Sequence, residues 1–174
     1  MEKTVYGNTS GLKKADLALL RGIYDLAVDK DMVITLDIAS IIAAVSGGSG
    51  RELAVFIDRR GQVVSVGVGD AATVSLQARG KRRGAYRLAG LRCIHTHPSD
   101  GGNLSAADYA ALYDLRLDAM AALGLQEEAI KEAYLACLGH RDGQLTRNYQ
   151  TFGPLSAGQL IKFPLAALMS VYWG

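Results

Sequence analysis

The chain has 174 residues, of which 49% are apolar and 21% charged, with a formal net charge of +2. Those values are ordinary for a globular domain and exclude a disordered chain, and the length suffices for one domain with a core that needs no disulfide staples. Cys93 and Cys137 stand far apart with no C-x-x-C spacing, which excludes a disulfide framework and a Cys-based zinc ribbon.

The N-terminal segment Met1–Gly11 carries no apolar h-region, so a cytoplasmic location is the default expectation. Residues 12–28 predict a first helix, because Leu12, Leu19, Leu20, Ile23, Leu26 and Ala27 recur at helical spacing, with Asn8, Thr9 and Ser10 in front of it as capping side chains. A second helix is predicted from a Thr35 cap through Ile38, Ile41, Ile42 and Val45, stopped by Gly47-Gly48-Ser49-Gly50. Leu53–Ile57 is a continuous apolar run, Asp58–Gly61 a turn and Val63–Val68 a second run, together a β-hairpin whose first strand is buried. Thr73–Leu76 predicts a weaker strand, and the basic stretch 79–87 a surface loop. A short strand at Leu91–His95 leads into a loop rich in Pro, Ser, Asp, Gly and Asn. A helix is predicted from Ser105 to about Leu117, strands at Met120–Leu125 and Ala133–Leu138, and a last helix from Ser156 that bends at Pro164. His140, beside Gly139 and Asp142, reads as a solvated turn residue. The apolar stretch Phe163–Trp173 is too short to span a bilayer, so no membrane contact is expected. The order of elements predicts an α/β fold in which a mixed sheet is flanked by helices, rather than a doubly wound parallel sheet.

The chemistry concentrates between residues 95 and 108. His95 and His97 lie two apart at the end of a predicted strand, where side chains at i and i+2 share a face, and two adjacent imidazoles are a natural start for a zinc site. Asp108 falls in the first turn of the following helix, where the helix dipole favours the ionised carboxylate that a metal ligand must be. Two histidines and a carboxylate leave one position of tetrahedral zinc open for water, whose pKa the metal lowers from 15.7 toward ~7. Glu52, at the start of the Leu53–Ile57 strand, is the candidate general base, and Ser105 the candidate donor to a developing oxyanion. Taken singly, these signals are weak: S-x-x-D at a helix start is an ordinary capping arrangement, H-x-H at a strand end is often just exposed, and Cys93 reads as a small buried hydrophobe. Their combination, in the order strand, loop, helix, is what points to a metal site.

Glu52, then His95-Thr96-His97, seven residues, and Ser105-Ala106-Ala107-Asp108 resemble the signature of the JAMM (MPN+) metallopeptidases. The resemblance implies a JAMM/MPN, cytidine-deaminase-like architecture with one zinc ion held by His95, His97 and Asp108. It also implies that Glu52 is the base, Ser105 the oxyanion donor, and a peptide or isopeptide bond the substrate. The zinc-deaminase pattern H-x-E with a later P-C-x-x-C is absent.

A second resemblance covers nearly the whole chain. Tyr6–Lys14, Ile57–Gly61, Val68–Asp70, Ile94–His97 and Leu115–Ala119 are similar to the N-terminal extension of long HflX-type ribosome-associated GTPases. It implies a single JAMM-like domain over 1–174, with a helical N-terminal part at 12–46, a metal-site core at 51–140 and a C-terminal helix at about 156–173. A covalently linked GTPase domain would lie outside this chain. No G-x-x-x-x-G-K-[ST] phosphate loop is present, since Gly47–Gly50 lacks the lysine. Arg79, Lys81, Arg82, Arg83 and Arg87 are candidate contacts to ribosomal RNA phosphates, although only Tyr86 interleaves them as a stacking group. The alternative expectation is a catalytically idle ribosome-docking or regulatory domain of that GTPase.

Overall fold

A computed structural model describes residues 2–70, 87–99, 101–141 and 144–173. Seven strands form one mixed sheet: β1 (Val5–Gly7), β2 (Leu53–Asp58), β3 (Val63–Val68), β4 (Leu91–His97), β5 (Ala119–Gln126), β6 (Ala129–Arg141) and β7 (Gln144–Leu155), in the spatial order β1-β3-β2-β4-β5-β6-β7. β1 runs parallel to β3 and β4 parallel to β5, and the remaining neighbours are antiparallel. The helices are α1 (Lys14–Gly22), α2 (Leu36–Ser49), α3 (Ala106–Asp114), α4 (Ala157–Ile161) and α5 (Leu165–Trp173). The sheet is therefore mixed and helix-flanked, as its alternating runs predict. No helix among the described residues is long and apolar enough to cross a membrane.

The middle of the sheet carries the core. All seven residues of β4 and the first seven of β5 are buried, so both faces of these strands are covered. Each fully buried Leu, Ile, Val or Met there contributes about 1.5–3 kcal/mol relative to exposure. Helix α2 packs across β4, β5 and β6, while α3, which connects β4 to its parallel neighbour β5, packs on β5, β6 and β7.

At one end of the sheet, Arg59 grips Asp118 through Nε at 2.7 Å and a second guanidinium nitrogen at 2.9 Å. The buried Arg92 donates to the carbonyls of Val33 and Asp58. Burial pulls the Arg92 pKa down to about 10 against the pull of Asp118 and Asp58, so the guanidinium is charged at neutrality. These bonds tie the β2–β3 turn and the segment before α2 to the start of β4.

Several boundaries differ from expectation. The first helix stops at Gly22, followed by a 3-10 turn at Ile23–Asp25, and its N-cap is Lys13 with no side-chain cap bond from the residues before it. Val5–Gly7 is a strand. Helix α2 keeps its Thr35 cap but continues through Gly47, Gly48 and Ser49, ending only at Gly50 in the left-handed conformation. Gln144–Leu155 is a strand paired with β6, and His140 lies on β6 opposite Leu145 rather than in a turn. The C-terminal helix is two helices, interrupted around Pro164. The predicted strand at Thr73–Leu76 lies outside the described residues, as do Arg79, Lys81, Arg82 and Arg83; Arg87 is exposed.

Candidate metal centre

Strand β4 ends in His95-Thr96-His97, and the alternation of a strand sends the two imidazoles to one face and Thr96 to the other. Thr96 Oγ1 accepts from the Leu53 N–H at 2.9 Å, which leaves its own proton for Ser46 Oγ at 2.6 Å on α2. Ser46 in turn donates to the Arg51 carbonyl at 2.6 Å. Every group in this buried chain is satisfied, and the chain fixes the backbone on both sides of Glu52. Thr96→Val is expected to orphan the Leu53 N–H and cost about 1–3 kcal/mol. Denaturant unfolding checks this, with Thr96→Ser recovering most of the loss.

On the opposite face Asp108 meets the histidines. Ser105 is the N-cap of α3: its Oγ accepts from the Asp108 N–H at 3.1 Å, and Asp108 Oδ2 accepts from the Ser105 N–H at 2.8 Å. This capping box sets the carboxylate's position, so the ordinary capping reading and the ligand reading both hold for Asp108. Its Oδ1 lies 3.1 Å from His95 Nε2, its Oδ2 3.5 Å from His97 Nε2, and the two Nε2 atoms are 3.0 Å apart. One ligand atom from each residue lies within 4.8 Å of the others, so the three can hold a metal ion.

Three observations test that fit. A tetrahedral ion with bonds near 2.1 Å keeps its ligand atoms about 3.4 Å apart; His95 Nε2 lies slightly inside that spacing from both His97 Nε2 (3.0 Å) and Asp108 Oδ1 (3.1 Å), while the 3.5 Å approach to His97 Nε2 is made by the other carboxylate oxygen, Oδ2. His97 Nδ1 is 3.0 Å from the Gly101 carbonyl, which can only accept, so the proton of the neutral ring sits on Nδ1 and Nε2 is bare. Burial pushes the Asp108 carboxyl up, but without a metal the hydrogen bonds that protonated His95 and His97 donate through Nε2, the charge of His95 and the Ser105 N–H outweigh it and hold the group well below the usual carboxylate range. Burial pulls His97 down, yet the hydrogen bond and charge of Asp108, the charge of Glu52 and the Gly101 carbonyl raise it on balance. His95 Nδ1 is buried and meets no partner among the described residues.

Glu52 sits one residue before β2 and is buried. Its N–H donates to the Asp70 carbonyl at 2.7 Å and its carbonyl accepts from the Gly69 N–H at 2.8 Å. Ala54 pairs with His95, so the same register continued by two residues sets Glu52 opposite His97, on the face of the imidazoles. It stays outside the three-residue cluster but close enough for its charge to act on His97. Ser105 is exposed, and its hydroxyl accepts one bond while keeping a proton to donate. Cys93 is fully buried on the same strand face, and burial, with Asp108 nearby, pushes its thiol up, away from the thiolate a ligand needs.

The sequence reading missed what surrounds His97. The Gly101 carbonyl meets its Nδ1, Gly124 on β5 pairs with it, and Glu132 on β6 accepts from the neighbouring Gly102 N–H; the one available signal was a glycine inside the apolar run of β5, which marks a close backbone approach. No family model, curated protein or solved structure matches the chain.

Proposed function

We propose that the chain is a zinc-dependent amide hydrolase domain of the JAMM type, acting on a peptide or isopeptide bond. The observation that carries this reading is the convergence of His95 Nε2, His97 Nε2 and the Asp108 carboxylate at the carboxyl end of a strand with a parallel neighbour. Two imidazoles, one carboxylate and no thiolate form the three-ligand set of catalytic rather than structural zinc. Zinc bound there would supply Lewis acidity, acidifying a water molecule and polarising the scissile carbonyl.

The chain's own residues do the rest. Glu52, across from His97, takes the proton of the attacking water and delivers it to the departing amine. The Ser105 hydroxyl donates to the oxyanion from the first residue of the helix that also presents Asp108. Ser46, Thr96 and the Leu53 N–H hold the backbone from which Glu52 projects. On the likeness to the HflX extension, this centre serves a ribosome-associated protein whose GTPase core is a separate domain.

Metal analysis of the purified protein, coupled to hydrolysis of a fluorogenic isopeptide, tests the reading. One zinc per chain is expected. Glu52→Gln should retain it while hydrolysis drops ~10²–10⁴-fold, the usual contribution of a general base. Loss of metal together with activity would make Glu52 a ligand or fold residue, and iron in place of zinc would sink the hydrolytic assignment. Stoichiometric zinc with no hydrolysis would leave the docking role.

A further inference from the structure

Three residues line up across the sheet on the face of the metal centre. His97 on β4 pairs with Gly124 on β5, and Gly124 pairs with Glu132 on β6. The loop after β4 folds back over this row. A Cβ on Gly124 would stand 2.5 Å from the Gly101 carbonyl carbon and 2.7 Å from Gly102 Cα, with Gly102 N closer still, so only glycine lets the loop lie flat there. The Gly102 N–H donates to Glu132 Oε1 at 3.2 Å, and the carbonyl of the same peptide, on Gly101, accepts from His97 Nδ1 at 3.0 Å. One peptide unit is thus held by a carboxylate at its N–H end and presents its oxygen to an imidazole at the other.

We propose that Glu132 and Gly124 are positioning residues for His97: acting through the 101–102 peptide, they keep the ring's proton on Nδ1 and its Nε2 turned to the centre as a ligand. The inference rests on the metal-centre reading for its consequence but not for its geometry. An outer partner that orients a ligating histidine typically governs metal affinity by 10–100-fold. Here that partner is a main-chain carbonyl, which no substitution of its own side chain removes, so its sensitivity is displaced to whatever anchors the peptide. Glu132 is half-buried on the β6 surface, so truncating it leaves the core untouched.

The test compares E132A, E132Q and G124A with the parent protein on two readouts. These are zinc affinity by chelator competition, and the ring ¹⁵N shifts of His97 in the metal-free protein at alkaline pH, which distinguish a protonated nitrogen from a bare one. E132A is expected to weaken zinc about 10-fold or more, toward the upper end of the 10–100-fold range for G124A, and to replace the single Nδ1–H tautomer by a mixture. E132Q keeps an acceptor oxygen without the charge and should match the parent on both, which separates anchoring from electrostatic attraction. Parent-like zinc affinity and an unchanged tautomer in E132A would overturn the proposal. If the parent binds no zinc at all, the metal-centre reading falls, and the tautomer comparison still decides whether Glu132 positions the ring.

Discussion

Chelation of the zinc-loaded protein should lower its melting temperature by roughly 8–16 °C, because metal at a thousand times its Kd stabilises by about 4 kcal/mol and each kcal/mol is worth about 2–4 °C in a domain of this size. The residue that separates this effect from ordinary helix stability is Asp108, which serves two masters: its carboxylate accepts the Ser105 N–H and also faces both histidines. Asp108→Asn retains an oxygen for the Ser105 N–H but lacks the negative charge that an ion needs beside two neutral imidazoles. The chelator-dependent shift should therefore vanish in Asp108→Asn, and the metal-free variant should itself melt below the parent, because the charge that pairs with His95 and His97 is gone. Ser105→Ala is the reverse case. It removes the acceptor for the Asp108 N–H and should cost about 0.5–2 kcal/mol as a lost N-cap, yet leave the chelator-dependent shift in place. A full shift in Asp108→Asn, read by calorimetry with and without chelator, would show that the metal sits elsewhere.

The candidate centre was legible because each of its parts obeys a local rule. Side chains at i and i+2 of a strand share a face, which brings His95 and His97 together, and the third residue of a helix is where a carboxylate can reach back to its N-cap. Pairing of β2 with β4 carries Glu52 to the same face, and the apolar runs that define those two strands are plain in the sequence. The elements that went unread are those whose stability comes from elsewhere. Strand β7 is polar for most of its length, contains Pro154 and forms an edge of the sheet; its sequence reads as a loop, and only pairing with β6 makes it a strand. Strand β1 is three residues borrowed onto the edge of β3. Glu132 and the Gly101 carbonyl are separated by a helix and a strand in sequence, and no local pattern links them. The spacing of His95, His97 and Asp108 groups the candidate ligands but says nothing of what orients them.

The glycine run at the end of α2 is the sharpest case of tertiary packing overriding propensity, and it yields a paired prediction. A Cβ on Gly47 would stand 2.8 Å from both the Glu127 carbonyl carbon and Glu128 Cα, with the Glu127 oxygen closer still. These are backbone atoms of the β5–β6 turn, and Glu127 already holds a positive φ of 56°, so the turn has little freedom to retreat. One position on, a Cβ on Gly48 would meet only Glu128 Oε1 at 3.0 Å, the far end of a flexible side chain that can swing aside. Both substitutions gain about 1 kcal/mol of helix propensity. For Gly48→Ala that gain should appear as a stabilisation of up to about 1 kcal/mol. For Gly47→Ala the clash should exceed it, since overpacking against fixed backbone costs about 1–3 kcal/mol or more. The opposite signs are measurable by urea unfolding at equilibrium. The consequence reaches the centre as well, because any shift of α2 that relieves the clash at Gly47 carries Ser46 with it, and Ser46 holds the Arg51 carbonyl directly and the Leu53 N–H through Thr96, on either side of Glu52. On the proposed function, isopeptide hydrolysis should accordingly fall in Gly47→Ala with the metal still bound, and stay at the parent level in Gly48→Ala; equal stability of the two variants would mean that α2 does not lean on the β5–β6 turn.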